Sequence, residues 1–113
     1  MNLKIMKMFY KHVLTYDFSE DETRESFKEL VEGMGYVEAE DQSTYVLPYS
    51  ESIQSKEVAD AIVAWSKNEN ISSDDFVQIF YLASVSVSNT KKATKIGSRF
   101  LKYDSTNKGL KEK

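Results

Sequence analysis

The sequence predicts one α+β domain of the split βαβ type, a four-stranded antiparallel sheet with two helices on one face. Its 113 residues, 41% of them hydrophobic, suit a single core. Two segments show the i, i+3, i+4, i+7 apolar spacing of amphipathic helices, and β-branched and aromatic runs lie before, between and after them. The order strand, helix, strand, strand, helix, strand is that of a ferredoxin-like βαββαβ domain.

The first element is a strand, "MFYKHVLTYD", from Met8 to Asp17. Side chains alternate across a strand, so its two faces are predicted to be His12, Leu14 and Tyr16 on one side and Val13, Thr15 and Asp17 on the other. Neither face is wholly polar, which is typical of a central strand.

The second element is a helix predicted to begin near Glu20. Ser19 and Glu22 have the spacing of a capping box, and acids in the first turn favour the helix dipole. A buried stripe follows, and two glycines end the helix. The stripe and the glycines are Phe27, Leu30, Val31, Met34, Gly33 and Gly35.

A hairpin, a second helix and a last strand complete the predicted order. "YVEAE" (36–40) and "STYVLPY" (43–49) predict the hairpin, with Pro48 at a strand end or edge. A stripe through Val58, Ala61, Ile62 and Trp65 predicts the second helix, and "FVQIFYLASVSV" (76–87) the last strand. After it, Ile96, Phe100, Leu101 and Tyr103 are candidates to anchor a short additional element.

Composition excludes several classes of site. The chain has no cysteine, so disulfides, thiolate metal sites and cysteine nucleophiles are absent. Its single histidine, His12, permits no histidine pair, and the expected role of this residue is a partly buried hydrogen-bonding side chain. No apolar run reaches membrane-helix or secretory length, so we expect a cytoplasmic protein without membrane contact.

Charge divides the chain into an acidic domain, residues 1–90, and a basic tail, residues 91–113. The tail holds eight Lys or Arg and two acids, so it carries +6 while the rest carries −9 of the net −3. The tail is either a solvated, flexible segment or extra strand, or a surface for nucleic acid phosphates or for an acidic face of another protomer. Its candidate nucleic-acid-binding residues are Lys91, Lys92, Lys95 and Arg99.

Asp17 is the main candidate site residue because it ends a strand just before a helix begins. A carboxylate there is either a metal ligand and catalytic group or a turn residue that binds the backbone. Asp74 and Asp75, just before the last strand, present the same two alternatives.

The quoted segments resemble a known family. "VLTYDFSEDETRESFKELVEGMGY", the hairpin end "QSTYVL" and "SSDDFVQIFYL" are similar to the CRISPR-associated Cas-two family and to virulence-associated protein D over about residues 8–85. The resemblance implies a homodimer formed through open sheet faces. It also implies a metal-dependent endonuclease in which Asp17, with its symmetry mate, holds Mg²⁺.

Two functions from different classes follow. The first is a small dimeric nucleic-acid-associated protein, with or without nuclease activity. The second is a protein interaction or regulatory module of a mobile element, whose acidic first helix binds a basic protein surface, because its carboxylates repel a phosphate backbone.

Overall fold

The computed structural model describes residues 10–39, 43–48, 50–82 and 95–113. These residues form six strands and two helices. In chain order the elements are β1 Tyr10–Asp17, α1 Asp21–Gly33, β2 Val37–Glu38, β3 Thr44–Pro48, α2 Ser55–Ser66, β4 Phe76–Leu82, β5 Lys95–Asp104 and β6 Gly109–Glu112. Neither helix in these ranges has the length and apolar character needed to cross a membrane.

The strands form one antiparallel sheet in the order β2-β3-β1-β4-β5-β6. The predicted α+β class and the two helices are confirmed, whereas a sheet of four strands is wrong. The two additional strands, β5 and β6, come from the basic C-terminal segment. The four strands predicted from the sequence, β1 to β4, lie side by side, and β1 pairs with β4 at the centre of the sheet.

Strand β1 has the alternation that its sequence predicts. His12, Leu14 and Tyr16 are buried on the face that carries the helices. Val13 and Thr15 are half-buried on the opposite face, and Asp17 is exposed. The strand therefore separates a closed face, which carries both helices, from the opposite face, on which no described helix lies and which we call the open face.

Aromatic side chains hold both helices on the closed face. The ring of Phe27 in α1 lies 4.8 Å from that of Tyr16 and 5.4 Å from that of Trp65 in α2, measured between centroids. Phe18, fully buried, contacts both Phe27 and Trp65. Burial of this aromatic cluster stabilises the packing of the first helix on the sheet.

Helix α1 begins without the predicted capping box. Its N-cap is Glu20, which makes no side-chain cap, and the helix starts at Asp21. Ser19 is engaged elsewhere: its hydroxyl lies 2.6 Å from that of Ser72. A capping box is present instead at α2, where Gln54 and Glu57 satisfy each other's backbone N–H groups.

The end of α1 follows the predicted glycine signal. Gly35 has a φ of 104°, a left-handed conformation that glycine adopts without a Cβ penalty. The Gly35 N–H donates to the carbonyl of Glu32, and the Tyr36 N–H donates to that of Val31. These two bonds form a Schellman motif, which satisfies the last carbonyls of the helix.

The C-terminal hairpin β5–β6 is an integral part of the domain. Leu101 and Leu110 are fully buried in the core. The Leu110 N–H donates to the hydroxyl of Ser66, at the end of α2, over 2.8 Å. The hairpin turn closes because the Asp104 carboxylate accepts from the N–H groups of Thr106 and Asn107.

Candidate functional site

A polar cavity lies at the carboxyl end of β1, beside α1 and the β2–β3 hairpin. Its volume is about 620 Å³. It is lined by Tyr16, Asp17, Arg24, Glu25, Lys28, Glu38 and Ser43. Three carboxylates and two cations share this lining, so the cavity has a mixed but net acidic character.

The cations of the cavity are already engaged by neighbouring groups. Arg24 forms an ion pair with Asp21 and donates to the carbonyl of Phe18 over 2.6 Å. Lys28 Nζ lies 3.9 Å from a carboxylate oxygen of Glu38. Burial, followed by the charge of Glu38, raises the pKa of Tyr16, so this hydroxyl stays protonated near neutral pH.

Asp17 is exposed, and its carboxylate makes no hydrogen bond or ion pair with a described residue. It therefore does not close the strand-to-helix turn, the role proposed as an alternative to metal binding. Among the described residues, no three His, Asp or Glu side chains are grouped so that they could hold a metal ion. Asp17 is thus a solvent-facing carboxylate at the rim of the cavity.

Asp75 has the structural role that was one of the two alternatives for Asp17, that of a turn residue whose carboxylate binds the backbone. It is almost fully buried, with 2% of its surface exposed. One carboxylate oxygen accepts from the Ser19 N–H over 3.1 Å, and the other from the Ser72 N–H over 2.8 Å. Asp75 therefore ties the loop before α1 to the turn before β4, as its turn interpretation predicted.

The outer face of α1 is strongly acidic. Six carboxylate residues at its start and along its length are exposed: Glu20, Asp21, Glu22, Glu25, Glu29 and Glu32. Glu32 also accepts a hydrogen bond from the Tyr45 hydroxyl over 3.1 Å. We call these six residues the acidic face of α1.

The basic residues proposed to bind nucleic acid occupy different environments. Arg99 lies on the closed face, where it donates to the Ser55 hydroxyl and forms a 2.8 Å ion pair with Glu112. Its guanidinium also lies 5.7 Å from the ring centre of Tyr81. Lys95 contributes backbone to β5, whereas Lys91 and Lys92 lie outside the described residues.

The open face of the sheet presents Lys102 and Lys111, two basic residues that the sequence did not single out. Cross-strand pairing places Asp17 beside Phe76, Phe76 beside Lys102, and Lys102 beside Lys111. The alternation of "RFLKYD" in β5 indicates which side chains lie on the open face, since Phe100 and Lys102 share the face opposite Leu101. This pattern predicts the position of Lys102 only if the segment is a strand.

His12 is fully buried on the closed face and hydrogen-bonded, as expected of a non-catalytic histidine. Its Nδ1 lies 2.8 Å from the Tyr36 hydroxyl. Burial, assisted by the charge of Lys11, lowers the pKa of His12 from 6.5 to about 4. Burial also raises the pKa of Tyr36. The pair is therefore neutral at physiological pH.

Comparisons of the chain with protein-family models, with curated proteins and with solved structures found no match.

Proposed function

We propose that the protein is an interaction module whose acidic face of α1 binds a basic segment of a partner protein. The observation that carries the proposal is that all six carboxylates of the acidic face are exposed. The sequence of α1 contains only two basic residues, Arg24 and Lys28. Clustered like charges of this kind attract an oppositely charged partner and accelerate its association.

The cavity beside α1 gives the acidic face a place for a basic side chain. Asp17, Glu25 and Glu38 line it, and its volume of about 620 Å³ can admit a lysine or arginine side chain. Lys28 is held only weakly, at 3.9 Å from Glu38, so a stronger cation can replace it as the partner of that carboxylate. Arginine suits such a site because its planar fork binds carboxylates in a bidentate manner.

We also propose that the module acts as a homodimer in the cytoplasm. The strand order β2-β3-β1-β4 supports a ferredoxin-like subdomain with one uncovered face. Half-buried apolar side chains lie on that face, among them Val13, Val46, Phe76 and Phe100. A second copy would remove this patch from water, and the lack of cysteine fits a reducing compartment.

The binding proposal is tested with a lysine- and arginine-rich dodecapeptide as probe. Replacing Glu25 and Glu29 together with lysine is expected to weaken peptide binding at least tenfold, because two attractive charges become repulsive. Wild-type affinity should also fall as salt is raised from 50 to 300 mM, since exposed charges are screened. Fluorescence anisotropy measures both effects.

The matched control replaces Asp60 and Asp74, two exposed acids outside α1, with lysine. This change alters the net charge of the protein by the same amount but leaves the acidic face of α1 intact. Equal weakening by the two double variants would show a general charge effect and contradict a site on α1.

A metal-dependent nuclease at Asp17 is the second candidate. It is favoured by one observation, an exposed carboxylate that no described residue engages. With Mg²⁺ bound there, the cation would polarise a phosphate or activate water. The residues around it are those of the cavity, in which carboxylates outnumber cations, and this charge disfavours a phosphodiester.

Incubation of labelled single-stranded RNA and DNA with wild-type protein and 5 mM Mg²⁺ separates the two candidates. We expect no cleavage above a protein-free control. Cleavage that disappears both with EDTA and in Asp17→Asn would establish the nuclease, because the amide keeps the shape of the side chain and loses the charge that binds the cation.

A further inference from the structure

Side chains on the open face are arranged in three rows that cross the central strands. The register of β1, β4 and β5 defines each row. The first row is Asp17, Phe76 and Lys102; the second is Thr15, Gln78 and Phe100; the third is Val13, Phe80 and Ser98. No described helix lies over these rows, because α1 and α2 both occupy the closed face.

The first row carries opposite charges at its two ends. Asp17 on β1 is negative and Lys102 on β5 is positive, with Phe76 of β4 between them. Neighbouring strands are about 4.8 Å apart, so the two charged positions are separated by about 10 Å. Within the part of the chain that the structure describes, Lys102 Nζ donates only to the Ser73 carbonyl, over 3.2 Å in an exposed position, and the Asp17 carboxylate makes no bond.

We propose that a second copy of the chain packs on this face about a twofold axis that runs parallel to the strands, over β4 and midway between the two facing sheets. This inference rests on the proposed homodimer and specifies its register. Under this symmetry Asp17 faces the partner subunit's Lys102, and Lys102 faces the partner subunit's Asp17. Phe76 and Gln78, both on the axis strand, face their own symmetry mates.

The alternative axes leave the charges without partners. A twofold axis across the strands at the second row would place Asp17 over the partner's Val13 and Lys102 over the partner's Ser98. Charges buried without a partner are costly. An axis across the strands at the first row would place Asp17 on the partner's Asp17 and Lys102 on the partner's Lys102, so like charges would meet. Only the axis along β4 makes the row self-complementary.

The register has a consequence for the metal site that the family resemblance implies. The two Asp17 side chains start about 10 Å apart along the row, and two packed sheets are separated by about a further 10 Å. Carboxylate oxygens that share one Mg²⁺ each lie about 2.1 Å from it. In this dimer Asp17 is an interface residue, paired with a lysine, and cannot share a cation with its symmetry mate.

The test is a charge exchange followed by analytical ultracentrifugation. Asp17→Lys and Lys102→Asp, each alone, are expected to raise the dimer dissociation constant at least tenfold, because each creates two like-charge contacts across the axis. The double variant, Asp17→Lys with Lys102→Asp, is expected to return to within about threefold of wild type. Lys67→Asp is the matched control: Lys67 is exposed at the end of α2 on the helix layer, and its reversal should leave the dissociation constant unchanged.

Three results would overturn the inference: a monomeric wild type at 100 μM, single variants that dimerise like wild type, or a double variant as weak as the two singles combined. Circular dichroism of each variant shows that it is folded. Wild type is also titrated with the basic dodecapeptide, so a wild type that is monomeric at 100 μM but still binds the peptide would contradict the dimer register while leaving the acidic-face proposal in place.

Discussion

Asp75→Asn is expected to lower the free energy of unfolding by about 3 kcal/mol, because the asparagine amide can accept only one of the two backbone bonds that the carboxylate now accepts. The Ser19 and Ser72 N–H groups donate to different oxygens of Asp75, which is 2% exposed. After the change, an NH₂ group would face one of these N–H donors. A charge-assisted bond contributes about 1.5–3 kcal/mol, and a buried donor without an acceptor costs about 1–3 kcal/mol.

Asp74→Asn is the matched control for this prediction. Asp74 is the adjacent residue, is exposed, and undergoes the same chemical change. Its effect is expected to stay within about 0.5 kcal/mol. Urea unfolding followed by circular dichroism measures both variants, and equal stability of the two would mean that Asp75 does not hold the loop before α1 to the turn before β4.

The contrast between Asp17 and Asp75 shows where sequence reasoning succeeded and where it stopped. Each aspartate stands at a junction of a strand with a turn, and local pattern assigns both the same alternatives. The two carboxylates differ because Asp75 meets the backbone of Ser19, a residue 56 positions away. That long-range contact also removes Ser19 from the predicted capping box. No local pattern in the sequence predicts this contact between Ser19 and Asp75.

Elements with strong periodicity were predictable, and those that depend on turn chemistry or tertiary contact were not. The stripe of α1 and its glycine stop follow from the order of its residues. The sequence indicated one short additional element or an extra strand here, not the hairpin β5–β6, because many residues of this segment are polar or basic and its turn relies on Asp104 and on the left-handed Lys108, with a φ of 58°. Burial of Leu101 and Leu110 in the core stabilises these two strands.

This hairpin changes how the basic segment is interpreted. A tail of high positive charge suggests a solvated arm or a surface for phosphates. In the structure Arg99 is bound to Ser55 and Glu112 on the closed face, while Lys102 lies on the open face. The segment therefore contributes both to the core and to the surface on which we place the dimer contact. Its positive charge lies at the β5–β6 end of the sheet, away from the acidic face of α1 beside β1, β3 and β2.

Lowering the pH from 7.5 to 5.0 is expected to cost about 2 kcal/mol of stability through His12 alone. The pKa of this side chain is about 4 in the folded protein and 6.5 in the unfolded chain. Below pH 6.5 the unfolded chain therefore binds a proton that the folded protein does not, and stability falls as pH falls. The loss grows until about pH 4, where the folded protein is protonated as well, and reaches on the order of 3 kcal/mol.

The cause of this dependence is the burial of the imidazole beside the Tyr36 hydroxyl, with Lys11 as the adjacent charge. His12→Gln keeps a neutral polar group that can still bond to Tyr36, so it should remove this part of the pH dependence. Urea unfolding of both proteins at pH 7.5, 6.0 and 5.0 measures the difference above the range in which most carboxylates titrate. Parallel pH profiles for wild type and variant, or an NMR titration of His12 with a midpoint near 6.5, would show that the folded protein does not keep this histidine neutral.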